Sequence, residues 1–251
     1  SKRLELVAEL GEKLLKTKIY NVARAAGGGN NHIYKLQSKS ADYALKTYRQ
    51  DAFNQRDRFC TETDALRFMS DNGMTNIPSL VATSKYHRLA IFEWIHTQPN
   101  WIKSYSDIDA SVDFIGKLQS IKMGPGIKRI GVASEACFSL GDIENQINER
   151  LARLRASIDP EKDQDRDCLT FLNRDFDPVF RDLIAKLKTS SSPDGLRFLD
   201  RAAEKCPILS PSDFGFHNAL KSQSGKIVFI DFEYFGWDDP AKLICDFILH
   251  P

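Results

Sequence analysis

The chain has 251 residues, 35 Lys+Arg against 34 Asp+Glu for a formal net charge of +1, and 42% hydrophobic residues. That is enough for one large domain or two modest lobes with a real core. The near-zero charge gives no reason to expect nucleic acid or an anionic membrane as a partner. No run approaches the roughly 18 apolar residues that span a bilayer, and Ser1-Lys2-Arg3-Leu4 leads into an amphipathic pattern rather than a secretory signal. The cysteines at positions 60, 137, 168, 206 and 245 are scattered, odd in number and never Cys-x-x-Cys. They read as buried thiols of a reducing, cytoplasmic compartment.

Residues 4–16 set Leu4, Leu10 and Leu14 among charges, predicting a surface helix. Tyr20–Ala26 and His32–Leu36 read as strands around Gly27-Gly28-Gly29-Asn30-Asn31. Strand, glycine loop, strand is a hairpin, which disfavours a dinucleotide-binding turn because that turn needs a helix after its glycines. The loop also lacks the Gly-Lys-Ser/Thr of a P-loop. Glycines without Cβ atoms let backbone N–H groups approach phosphate oxygens, although a plain hairpin turn explains them equally well.

Tyr43–Tyr48 is strand-like, and period-two alternation puts Ala44 and Lys46 on one face. A small residue beside a lysine suits a nucleotide; a solvated edge-strand lysine is the plainer alternative. Residues 52–72 predict a helix whose apolar stripe of Phe59, Leu66 and Met69 includes Glu62. A carboxylate on that face needs a cation, and Lys46 is the candidate. Ser79–Thr83 and Arg88–Trp94 predict a second hairpin. Beyond it the character turns helical: Ser106–Lys122 with Ile108, Val112, Ile115 and Leu118 at helical spacing, then Leu140–Ile158, Gln164–Leu187 and Gly195–Cys206.

The stretch Ser210–Pro240 concentrates the chemistry. A polar loop carries Asp213 and, five residues on, Asn218; a turn at Ser222–Gly225 leads to the apolar run Ile227–Ile230, which ends abruptly on Asp231. Two carboxylates and an amide, placed by a loop and a strand end, suit a hard divalent cation such as magnesium, which usually works beside phosphates.

Asp213-x-x-x-x-Asn218 followed by Ile230-Asp231-Phe232-Glu233-Tyr234, with Asp239-Pro240 and Asp246 after it, resembles the catalytic and metal loops of kinase-fold enzymes. The similarity is to the small-molecule branch, the aminoglycoside phosphotransferases and choline/ethanolamine kinases. Gly27, Gly28, Asn31 and Tyr34 match the glycine loop of that family. The resemblance implies an α+β, two-lobed protein-kinase-like fold. Residues 1–95 would form a nucleotide-binding lobe of antiparallel sheet plus helix, and residues 96–251 a mostly helical catalytic and acceptor lobe. It implies ATP and Mg²⁺ as cofactors and transfer of the γ-phosphoryl group to an alcohol of a small molecule. Asp213 would be the base, and Asn218 and Asp231 the metal ligands. Gly27, Gly28, Gly29, Asn30, Asn31, Ala44, Lys46, Glu62, Phe92, Glu93 and Ile95 would form the ATP site, with Glu93 and Ile95 acting through their backbone. Glu233 where protein kinases carry Gly, and no Ala-Pro-Glu after it, point to a small acceptor rather than a protein.

The family's His two residues before the catalytic Asp is Pro211 here, which stiffens the loop by fixing φ. His217 is either a replacement partner or a histidine satisfied in a polar loop, and Gln119 stands near where relatives place a His. Glu233, Trp237 and Asp238 are the candidate acceptor contacts. Aromatic groups (Trp101, Tyr234, Phe235, Trp237) favour a choline-like cation, and acidic ones (Glu233, Asp238, Asp239) an amino-sugar. A choline/ethanolamine kinase-like enzyme and an idle nucleotide-binding module are the alternatives. Relatives carry further helices after the metal strand, so the resemblance implies either a short version or a chain continuing past Pro251.

Overall fold

The structure is a computed structural model that describes residues 2–25, 31–49, 57–189 and 207–249. Helix α1 (Lys2–Leu15) lays Leu4, Val7, Leu10 and Leu14 against a five-stranded sheet. The strands are β1 (Ile19–Arg24), β2 (His32–Ser38), β3 (Asp42–Thr47), β4 (Leu80–Ser84) and β5 (Leu89–Glu93), in spatial order β1-β2-β3-β5-β4. Every pairing is antiparallel. Alternation along these strands buries Tyr34, Leu36, Leu45, Leu89 and Ile91 under α1. The helix comes so close that a Cβ on Gly11 would lie 2.7 Å from Leu36 Cδ1. Both predicted hairpins form. The glycine loop expected at Gly27, Gly28, Gly29 and Asn30 lies outside the described residues.

Helix α2 (Arg58–Asp71) starts at Asp57, whose carboxylate caps the Cys60 N–H at 3.1 Å. It buries Phe59, Glu62, Leu66 and Met69, as the stripe predicted. The expected segment 52–56 lies outside the described residues.

Helix α3 (Tyr105–Ser120) departs from expectation. Its buried residues are Asp107, Ser111, Phe114 and Leu118, while Ile108 is 40% and Val112 63% exposed. The helix is turned by about one residue because Asp107 is drawn inward. Its carboxylate accepts from Lys221 Nζ at 2.5 Å, Trp101 Nε1 at 3.1 Å and the Ser104 N–H at 2.9 Å. Gln119 uses its amide twice on one residue: Nε2 donates to the Leu209 carbonyl at 2.8 Å and Oε1 accepts its N–H at 3.0 Å.

By its contacts the chain divides into two compact units, residues 1–135 with 208–251, and residues 136–207. The second is helical, with α4 (Leu140–Ser157), α5 (Asp163–Phe171) and α6 (Asp177–Thr189). The single helix expected over Gln164–Leu187 is interrupted by a π-helical turn at Leu172–Phe176. A cavity of about 600 Å³ lies between α4 and α6, and none of the expected site residues lines it. The helix expected over Gly195–Cys206 lies outside the described residues.

In the first unit four short strands follow, β6 (Ile208–Ser210), β7 (Ala219–Lys221), β8 (Ile227–Phe229) and β9 (Gly236–Asp238), then α7 (Pro240–Leu249). β6 pairs with β9 and β7 with β8, both antiparallel. An aromatic cluster supports them: Phe229 lies 4.4 Å from Phe114 and 5.0 Å from Phe214, centroid to centroid. The expectation of buried thiols is not met for the described cysteines: Cys60 and Cys168 on helices and Cys137 in a loop are half-buried, and Cys245 on α7 is exposed; Cys206 lies outside the described residues. No described helix is long and apolar enough to cross a membrane.

Burial raises the Asp107 pKa, but the hydrogen bonds from Lys221, Trp101 and Ser104 outweigh it and hold the carboxyl well below the usual range. A depressed folded-state pKa contributes stability above the unfolded value near 3.9 and loses it as pH falls through the folded value. Asp107→Asn is therefore expected to destabilise the fold by about 2–4 kcal/mol at neutral pH. In denaturant titrations at a series of pH values, that deficit should shrink as the pH drops below about 4.

Candidate active site

The site is organised by one ammonium. Lys46 Nζ lies 2.7 Å from Glu62 Oε2, 2.6 Å from Asp231 Oδ1 and 3.6 Å from Glu233 Oε2, with its side chain 7% exposed. The pairing of Lys46 with Glu62 is the one the α2 stripe required. Glu62 also accepts from Tyr48 Oη at 2.7 Å and from the Phe232 N–H at 3.3 Å. Burial alone would lower the Lys46 pKa; the carboxylates of Glu62, Asp231 and Glu233 more than reverse this and keep the amine protonated. Burial, then the Glu62 carboxylate, lifts the Tyr48 phenol well above its ordinary value, so it remains a donor.

Asp231 ends the β8 run in the left-handed region, at φ 65°, with its side chain 36% exposed. The backbone there fastens to the polar loop, because the Ile230 N–H donates to the Asn218 carbonyl at 2.9 Å. Asn218 in turn donates through Nδ2 to the Asp213 carbonyl at 2.9 Å and to Asp213 Oδ2 at 3.0 Å. His217 Nε2 stands 3.0 Å from Asp213 Oδ1. A carboxylate only accepts, so that nitrogen carries the proton. Pro211 is buried, and the Ser212 N–H donates to Ser210 Oγ at 2.9 Å, with Ser212 itself at φ 62°. Asp213 and Asn218 are thus joined by hydrogen bonds, the Asn218 carbonyl holds Ile230 next to Asp231, and Asp231 meets Lys46.

The remaining expected residues fall as follows. Ala44 shares the sheet face of Lys46 and pairs with Phe92, which is buried. Glu93 spends its N–H on the Ser79 carbonyl at 3.1 Å, which removes that group as a backbone donor. With Ile95, Glu93 lines a cleft of about 340 Å³ whose other walls include Ile77, Lys226 and Val228. Asn31 is buried and donates to Glu233 Oε2 at 2.5 Å.

The acceptor expectations need correcting. Glu233 is 3% exposed and turned inward, where it also pairs with Arg58 Nη1 at 3.3 Å. Asp238 is fully buried and accepts the Asp239 N–H at 2.8 Å. The burial of Asp238 goes with β9 pairing with β6 and with the close fit of Gly236 against the Ala133 backbone, and that of Glu233 with its partners Arg58, Asn31 and Lys46. Trp237 alone of the three is half-buried. Arg58 and the inward turn of Glu233 were missed from sequence. The signal was a carboxylate two residues past Asp231, with an unassigned arginine on the α2 stripe.

Two donor sets suit a divalent cation. Oxygens of Glu62, Asp231 and Glu233 lie within 4.8 Å of one another, but Lys46 already stands among them. Asn218 and Asp231 offer an amide oxygen and a half-exposed carboxylate, hard donors that fit magnesium. Lys46 and Arg58 against Glu62, Asp231 and Glu233 leave one formal negative charge, which favours a further cation beside Asp231.

No family model matches the chain, and no curated protein sequence does. Solved structures do. A spectinomycin phosphotransferase in complex with AMP superposes with a TM-score of 0.62 at 15% identity, covering 96% of this chain and 72% of that one. Choline kinase LicA from Streptococcus pneumoniae gives 0.60 at 15% identity, covering 99% and 75%. Plasmodium vivax ethanolamine kinase gives 0.56 at 17% identity, covering 90% and 58%. The fold is that of protein-kinase-like small-molecule phosphotransferases, as the loop and strand motifs implied.

If Glu233 is an internal strut rather than an acceptor contact, Glu233→Gln leaves Arg58 buried beside a neutral group. Its expected cost is about 2–4 kcal/mol in denaturant unfolding, against roughly ±0.5 kcal/mol for a carboxylate open to solvent.

Proposed function

We propose that this protein transfers the γ-phosphoryl group of ATP to a hydroxyl of a small molecule. The observation that carries the reading is the junction of Lys46, Glu62 and Asp231 with the hydrogen-bonded Asp213–Asn218 loop, on a fold shared with phosphotransferases. Residues 1–95 read as the nucleotide lobe and residues 96–251 as the catalytic and acceptor lobe.

Lys46, held by Glu62, which Tyr48 holds in turn, fixes phosphate oxygens through a charge that does not titrate in the working range. Ala44 leaves room for the base on the same sheet face, and Phe92 backs it. Asn218 and Asp231 would hold magnesium, which would supply neutralisation of charge on the transferring phosphate. Asp213 takes the proton of the acceptor hydroxyl as its oxygen bonds to phosphorus and the bond to the ADP oxygen breaks. His217 and Asn218 point the Asp213 carboxylate by occupying one oxygen each. In this reading His217, four residues after Asp213 rather than two before it, takes up the orienting part that Pro211 cannot play. The half-buried Trp237 is the acceptor contact that remains open, and the acceptor is a small-molecule alcohol.

An assay of ATP consumption against a panel of alcohols tests this. Asp213→Asn should lower turnover by about 100-fold or more while Mg-ATP still raises the melting temperature. Lys46→Met should weaken that thermal shift. A panel that gives no turnover above the Asp213→Asn background, with the thermal shift intact, would mark an idle nucleotide-binding module instead.

A further inference from the structure

The sheet has a second polar assembly, on the face away from Lys46. In the β2–β3 register Ile33 pairs with Lys46 and His32 with Thr47, so His32 points to the opposite side, along with Tyr34 and Leu36. Arg24 pairs with Tyr34 and shares that face. Arg49 follows two residues after Thr47 in the chain. Arg3, on α1, lies over the Tyr34 ring at 5.9 Å, and that ring is 6.5 Å from His32. Four elements of the chain thus bring three guanidinium groups to one imidazole.

The contacts do not satisfy one another. Arg49 Nη2 is 2.8 Å from His32 Nε2, and Arg24 Nη2 is 3.3 Å from Nδ1. A guanidinium only donates, and a neutral imidazole accepts at one nitrogen while the other carries a hydrogen. If Nε2 accepts from Arg49, then Nδ1–H faces a second donor. A protonated ring would face donors on both sides. Burial, then Arg3, Arg49 and Arg24, hold the His32 pKa below its usual value, consistent with a neutral ring. Among the described residues no carboxylate pairs with Arg3, Arg24 or Arg49. In a chain of net charge +1 this is a local concentration of donors, not part of a general excess.

We infer that Arg3, Arg24, His32 and Arg49 form an anion-binding site for a phosphate dianion, free or as a monoester, separate from the Lys46 site. A tetrahedral group with three or more oxygens accepts from Nδ1–H of His32 and from forks approaching in different directions, which a flat carboxylate matches less well. The arrangement turns a donor facing a donor into two donors sharing one acceptor. The inference stands apart from the proposed phosphoryl transfer, since none of its four residues serves that reaction.

The test is an NMR titration of the histidine ring signals of the full chain, at constant ionic strength, with inorganic phosphate in one arm and methyl phosphate in the other. His32 should shift saturably with a low-millimolar or tighter Kd, and the tighter arm tells free phosphate from ester. Arg24→Ala with Arg49→Ala should weaken binding by about tenfold or more. Arg24→Lys with Arg49→Lys keeps the charges and should recover only part of it. Lys46→Met should leave the His32 titration in place. A His32 shift no larger than those of His87 and His96, or unchanged affinity in the double Ala variant, overturns the inference. So does loss of the His32 response in Lys46→Met that folds normally.

Discussion

The structure depends on a buried ammonium having more than one carboxylate. Lys46 could not sit 7% exposed on a sheet face without Glu62, and Glu62 could not sit on the apolar stripe of α2 without Lys46. That mutual need locks the helix to the sheet. Asp231 and Glu233 then bring the end of β8 to the same cation, so a segment some 185 residues away in sequence is tied to β3. Removing Lys46 or Glu62 leaves its buried partner's charge without its closest counter-charge in a dry place, and the arrangement is correspondingly specific.

A second buried pair sets the other half of the site. Asp107 takes the inward position on α3 that an aliphatic residue would normally fill, and its partner Lys221 lies on β7, three residues after Asn218. The strand that follows the Asp213–Asn218 loop is therefore held by an ion pair, and the strand before it by the two-point grip of Gln119 on Leu209. The loop's ends are fixed while its side chains stay half-open, which is how a polar loop can be both positioned and reachable.

Much of this was legible in the sequence because it follows from periodicity and from unpaired charge. The two hairpins, the α2 stripe, the Lys46–Glu62 pair and the abrupt end of β8 at Asp231 all rest on local patterns. What was not legible depended on distant partners. The inward turn of Asp107 requires Lys221, more than 100 residues on, and the burial of Glu233 requires Arg58 and Asn31. In both cases composition favoured the wrong face: Ile108 and Val112 looked like core, and an acidic run after an aromatic strand looked like a surface. The π turn at Leu172–Phe176 leaves no signature in apolar spacing.

The backbone at Asp231 and Ser212 carries a further meaning. Both are non-glycine residues at φ near 60°, a region where a Cβ costs about 1–2 kcal/mol. The fold alone would prefer glycine at each, and at 231 glycine would also remove a half-exposed carboxylate from beside two others. The strain at Asp231 is offset by the bond its carboxylate makes to Lys46, so a side chain without that carboxylate would keep the backbone cost and lose the compensation.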